Sequence, residues 1–249
     1  MRLRWITPDG SEIPIESPSA ETPTPPYLYL THSGFGGPDN EATLTRGAYQ
    51  DGETLQTVYL SSRRLSVTFA ILAASAAAVQ AQRRAVARAF NPRAGAGVLV
   101  WTQEDGTEYA LRCIADSGSP TFPRGSKAGI SWQEVVVDLI APDPCWYAYA
   151  GEELHLAGMT GGVEFPIIFP ATFAVQGDMQ TMTNEGDTPA PVQISIAGPI
   201  LNPAIRNLTT GQILALMIDV AADESLEIDT TYGALCCRLV APDGTQTNA

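Results

Sequence analysis

Between residues 65 and 71 the chain alternates strictly: Leu65, Val67, Phe69 and Ile71 fall on one face, with Ser66 and Thr68 between them. A period of two with one apolar face predicts a half-buried β-strand. The same rhythm, broken by turn residues, runs through most of the sequence. MRLRWITPDGSEIPIE reads as strand, Asp9-Gly10 turn, strand, and a loop rich in Pro, Ser and Thr follows it. YLYLTH and ETLQTVYL read as short strands on either side of a glycine-rich loop. VLVWT-QEDG-TEYALRCIA forms a hairpin about Asp105-Gly106, and ISWQEVVVDLIAPDP is a strand stopped by two prolines. One stretch departs from this period. From Ser75 to Phe90 the positions Val79, Val86 and Phe90 lie seven and four apart, on one helical face, with Ser75 as N-cap and Asn91-Pro92 as the stop. The alanines keep that face thin, so the helix can lie close to a sheet.

After Pro142-Asp143-Pro144 the texture changes. FPIIFPATF is followed by short alternating runs: Val192, Ile194 and Ile196; Leu214, Leu216, Ile218 and Val220; Leu226 and Ile228; Leu235, Cys237 and Leu239. Turn signals about every ten residues predict a second β-sandwich. The chain is expected to be mainly β, with an N-terminal β-sandwich domain carrying the α-helix and a β-hairpin over 1–150. A C-terminal β-sandwich is expected over 151–249.

Composition narrows what such a chain can do. Charged residues make up only 16% of the 249, so much of the surface is expected to meet other protein. A net charge of -13 and a pI near 4.4 argue against nucleic-acid binding, which needs a basic footprint. Cys113, Cys145, Cys236 and Cys237 show no CxxC and no zinc spacing, and read as reduced thiols of a protein made in a cytosol. The run AILAASAAAVQA is too short to span a bilayer and no signal peptide opens the chain, so a soluble product is expected.

Motifs for chemistry are missing where they would be needed. Gly34-Phe35-Gly36-Gly37 is followed by Pro38-Asp39-Asn40 rather than a helix, and no Gly-Lys-Ser/Thr occurs, so it is not a phosphate cradle. His32 and His155 stand alone, without HExxH or a GxSxG elbow, and the carboxylate pairs sit at turns. No catalytic residue, cofactor site or metal site is expected. Arg83, Arg84, Arg88 and Arg93 take a large share of 14 basic residues. They read either as a solvated helix face or as an electrostatic contact with an acidic neighbouring subunit. Trp101, Trp132, Phe165, Phe169 and Phe173 are core candidates; Trp146 and Tyr147, beyond the prolines, are interface candidates.

The ordered series of features resembles the siphovirus distal tail proteins (Dit). The likeness rests on RWITPDGSEIPI, Arg46 with Tyr49-Gln50-Asp51-Gly52-Glu53, RRLSVTFAI, the helix end Ala89-Phe90-Asn91-Pro92, the hairpin after Gly97, and WQEVVVDLIAPDPCWY. In the second half it rests on FPIIFPATF, NEGDTPAPVQISIAGPILNP and the later Thr-Gly and IDT segments. The resemblance implies a ring-forming first domain in a homo-hexamer, with the tail tube protein on one side and a tail-tip or tail-associated lysin protein on the other. It implies further contacts with tape-measure and receptor-binding proteins, DNA passing the channel without specific binding, and a place at the tail tip of the virion. It also implies a galectin-like second domain, in which the polar and Trp set of sugar-binding lectins is not recognisable. Family members continue with further strands and a Pro-Gly-Asn turn, whereas this chain ends at APDGTQTNA; either the gene is short or the sandwich is completed differently, and the last strand pairing stays open. Within this frame the glycine cluster is a loop leading toward a structural arginine and turn. Subunit-interface candidates are Arg46, Asp51, Arg63, Arg64, Arg83, Arg84, Arg88, Trp146 and Tyr147. Two other readings stay open: a carbohydrate-binding adhesion module using the C-terminal sandwich, and a cell-envelope hydrolase.

Overall fold

The computed structural model describes residues 1–18, 25–151, 153, 155, 181–231 and 233–248. The chain divides into two compact units, Met1–Glu153 and Leu154–Ala249. The first contains β1 (Arg2–Ile6), β2 (Glu12–Glu16), β3 (Tyr27–Ser33), β4 (Asn40–Thr45), β5 (Thr54–Leu60) and β6 (Arg63–Leu72), then α1 (Ala76–Ala89). It continues with β7 (Gly97–Thr102), β8 (Glu108–Ala115), β9 (Trp132–Ala141) and the short β10 (Tyr147–Ala148).

Strand order is β10-β8-β7-β1-β2-β3-β6-β9. Two of the links are brief: β2 meets β3 only at Glu16↔Leu28, and β8 meets β9 only at Ile114↔Ile140 and Ala115↔Leu139. The sheet therefore behaves as two layers, β10-β8-β7-β1-β2 and β3-β6-β9, joined at both margins. Their inward residues pack into one core: Leu3, Trp5, Ile13, Ile15, Leu99 and Leu111 from the first layer, Leu65, Val67, Phe69, Ile71, Val135, Val137 and Leu139 from the second. The predicted alternation is the cause. Each of these residues sits at every second position of its strand, so a single choice of face buries them all.

Helix α1 forms where the pattern placed it. The Ser75 hydroxyl accepts the Ala78 N–H at 3.3 Å, and Pro92 follows the C-cap Phe90 by two residues. Val79, Val86 and Phe90 are all buried. Phe90 stacks on Trp5 at 4.8 Å between centroids, while the Trp5 indole N–H donates to the Ala89 carbonyl at 2.9 Å. One side chain thus satisfies an otherwise orphan carbonyl of the last turn.

The second unit holds β11 (Gln193–Ala197), β12 (Ile200–Leu201), β13 (Ala204–Arg206), β14 (Ile213–Ala215), β15 (Asp219–Val220), β16 (Ser225–Asp229), β17 (Cys236–Val240) and β18 (Gln246–Asn248). Four strands form a sheet in the order β11-β16-β17-β18, with β12-β15 and β13-β14 as separate pairs. Val220, Leu226 and Ile228 are its buried centre, flanked by Ile194, Ile196, Leu216, Ile218 and Leu239. The run from Leu214 to Val220, read as one strand, is divided into β14 and β15. The stretch it pairs with carries, between β12 and β13, Asn202 in a left-handed conformation at φ 51 and then Pro203, which has no N–H to give. Leu235 lies just outside β17 and is exposed. The last described residues fold back as a hairpin strand on β17, with Leu239 opposite Thr247. FPIIFPATF, with Phe165, Phe169 and Phe173, lies outside the described residues.

Candidate assembly site

The most distinctive feature of the first unit stands apart from its core. Among the described residues β4 and β5 pair only with each other. Every residue of both strands is exposed except the half-buried Thr57. The register Asn40↔Leu60, Ala42↔Val58 and Leu44↔Leu55, with a bulge after Thr43, puts Ala42, Leu44, Leu55, Val58 and Leu60 on one face. Glu41, Thr43, Thr45, Thr57 and Tyr59 occupy the other. This arm is amphipathic, yet among the described residues of the first unit nothing covers its apolar side: Leu44, Leu55, Val58 and Leu60 each keep 48–56% of their surface. A two-stranded hairpin by itself is marginal in water and gains stability by packing its apolar face.

The glycine loop is the base of this arm. Gly34 has φ +83, and a Cβ there would run into the Arg64 carbonyl oxygen, so only glycine fits. Phe35 turns inward, with centroids 4.3 Å from His32, 5.5 Å from Trp101 and 5.3 Å from Trp146. Arg63 locks the arrangement. It is only 5% exposed; Nε donates to the Pro144 carbonyl at 2.7 Å, and one terminal nitrogen donates to the carbonyls of Gly34, at 2.9 Å, and Gly36. Its guanidinium also lies 6.0 Å from the Trp146 ring centroid. Desolvation lowers its pKa below the ordinary arginine value, yet an arginine stays cationic. Burial likewise lowers the pKa of His32, which shares a hydrogen bond with the Tyr29 hydroxyl.

The expected interface residues therefore separate. Arg63 is spent inside its own unit, and it, rather than Arg46, is the arginine that pins the glycine loop. Trp146 packs into the same aromatic cluster; neither its indole N–H nor that of Trp101 has a partner among the described residues. Tyr147 lies in β10 and donates its hydroxyl to Asp143 at 2.6 Å. Arg64 is exposed but pairs with Asp116 of its own unit at 2.8 Å. Arg83 lies over Phe122 at 4.6 Å. Arg84 and Arg88 remain on the outward face of α1, with no ion pair among the described residues. Arg46 and Asp51 stand at the tip of the arm, where Arg46 Nε donates to the Gln50 carbonyl at 3.1 Å. Sequence reading missed β4 and Phe35. The alternation of NEATLT was the available signal for the first, hidden because its apolar positions, Ala42 and Leu44, are few.

Among the described residues no three His, Cys, Asp or Glu side chains converge on a metal position, and no helix is long and apolar enough to cross a membrane. Residues 29–131, which span the glycine loop, the arm and α1, match the family described as phage tail protein RIFT-related domain. That match lies wholly within the first unit. The resemblance to siphovirus distal tail proteins holds in fold as well. The chain is similar to the Dit (gp 19.1) protein of phage SPP1, at 11% identity and a TM-score of 0.50, over 98% of this chain and 84% of that one. It is also similar to a chain of the phage P2 baseplate in its activated conformation. With Ca the identity is 10% and the TM-score 0.60; with Sr they are 11% and 0.59, each over 99% of this chain and 86% of that one. No curated protein matches the chain. The RIFT-related domain thus carries both the arm and the exposed arginines of α1.

Proposed function

We propose that this chain is a structural hub of a long non-contractile phage tail, without a catalytic role. In this reading the first unit closes into a six-membered ring that joins the tail tube to the tail-tip or tail-associated lysin protein. The second unit serves as a peripheral platform for further tip proteins. The observation that carries the reading is the uncovered apolar face of the β4–β5 arm inside a phage tail domain. A surface of that kind is stable only against another protein. The likeness to a phage hub protein and to a baseplate chain supports the same reading. Charge suits a conduit: six copies at -13 carry -78 (6 × -13), so the channel wall would repel DNA rather than hold it.

Native mass spectrometry and negative-stain imaging of the full chain, alone and with tail tube protein, test the proposal. A ring of six 26.4 kDa copies with a central opening is expected. A monomer under both conditions overturns it.

A further inference from the structure

We infer that the arm of one copy lies on the outward face of helix α1 of the next copy, an inference that rests on the ring reading above. The argument is one of complementary chemistry within a single chain. From residue 54 to residue 103 the sequence has no Asp or Glu but six arginines. Two of these, Arg84 and Arg88, stand one turn apart on α1 beside the exposed Ala77, Ala81 and Ala85. This makes a basic face with short side chains, on which a flat apolar surface can come close. The arm supplies the converse: Asp39, Glu41, Asp51 and Glu53 against the single Arg46. Asp51 and Glu53 lie in the tip loop at one end of the bare face of Leu44, Leu55, Val58 and Leu60, and Glu41 lies on its reverse. All four carboxylates are exposed, and none forms an ion pair among the described residues.

On a chain of net charge -13 an acidic arm is disfavoured at most contacts, and the carboxylate-free face of α1 favours it. Because the two surfaces differ, arm on helix is a head-to-tail contact, the kind that generates a ring when its rotation closes. The tip adds an anchor. Tyr49 is fully exposed at φ 60, a conformation rare for a bulky side chain. The loop holds it there: the Gly47 N–H donates to Gln50 Oε1 at 2.9 Å and Gln50 Nε2 donates to Thr54 Oγ1 at 2.9 Å. A rigid, outward aromatic at the end of an interacting arm has the character of an interface hot spot.

The test uses charge reversal on the full chain. Arg84→Glu with Arg88→Glu inverts the helix face; Asp51→Arg with Glu53→Arg inverts the arm. Each altered protein alone is expected to lose assembly affinity by about tenfold or more, while the melting temperature of the isolated monomer stays unchanged, since all four positions are exposed. Mixed one to one, they are expected to assemble again, because each junction then pairs opposite charges. A photo-crosslinking residue in place of Leu44 is expected to capture residues 76–93 of another copy. Reversals that leave assembly unchanged, a mixture that stays apart, or a crosslink elsewhere overturns the inference. If the wild type still forms rings in that case, the hub reading survives. If the wild type is monomeric alone and with tube protein, both fall.

Discussion

Replacing Arg63 with Met removes the charge and hydrogen bonds but keeps most of the apolar stem. Three backbone carbonyls lose their donor. Those of Gly34 and Gly36 lie in an exposed loop, where water can take the place of the guanidinium, so each costs about 1 kcal/mol. The Pro144 carbonyl is half-buried and costs about 1–2 kcal/mol, and loss of the contact with Trp146 adds about 0.5 kcal/mol. Relief of a cation buried without a carboxylate partner returns about 1 kcal/mol. A net destabilisation of about 2.5–3.5 kcal/mol is expected for the first unit. All four tryptophans, Trp5, Trp101, Trp132 and Trp146, belong to that unit, so urea unfolding followed by tryptophan emission reports it selectively. Arg64→Met is the control: its exposed pair with Asp116 is worth less than about 1 kcal/mol. Equal midpoints for the two variants would show that the Arg63 bonds contribute nothing, and the account of the arm base would fail.

Val86 is fully buried, and Val86→Asp is expected to lower stability by about 4 kcal/mol or more, read as a fall in melting temperature; an unmoved transition would deny that α1 packs on the sheet. The folded His32 titrates below its ordinary 6.5, so the unfolded chain takes up that proton first. Its contribution is complete above about pH 6.5 and declines as pH falls through that value, and a His32→Gln variant should flatten this part of a stability–pH curve. Burial pushes the Cys113 thiol up to about 12, so it should stay unlabelled by a thiol reagent at pH 8 until the chain is unfolded. Peptide mapping that finds native Cys113 labelled as fast as the half-buried Cys236 would contradict its place in the core.

The legible parts of this fold are those where burial and local pattern agree. Leu65, Val67, Phe69 and Ile71 announce a strand and Val79, Val86 and Phe90 a helix, because each set faces the core that selected it. Asp9-Gly10 and Asp105-Gly106 announce hairpins through local turn chemistry alone. The arm was harder to read: β4 faces no core, so its sequence answers to a surface beyond this chain, and ATLT looks like loop. Arg63 was misplaced for a related reason. Nothing local distinguishes it from Arg64, its neighbour, yet alternation along β6 sends one guanidinium under the glycine loop and the other to solvent. Its acceptors, Gly34, Gly36 and Pro144, lie 27 to 81 residues away and are backbone groups, which carry no side-chain signature. The division of the 213–220 run followed from Pro203 in the stretch it pairs with, again a long-range cause.

Among the described residues, 38–61 contribute no side chain to the buried cores. Both ends of that segment are held by anchors outside it, Phe35 and Arg63. Its sequence is therefore nearly exempt from the demands of folding and can drift under selection by its partner alone. Within a lineage of such chains, the arm should diverge faster than the core strands on either side while keeping step with the surface it touches. Recombination between related tails would find natural junctions at the glycine loop and at Ser61-Ser62. A crossover there would pass on a preference for partners intact, as a heritable cassette, without disturbing the body that carries it.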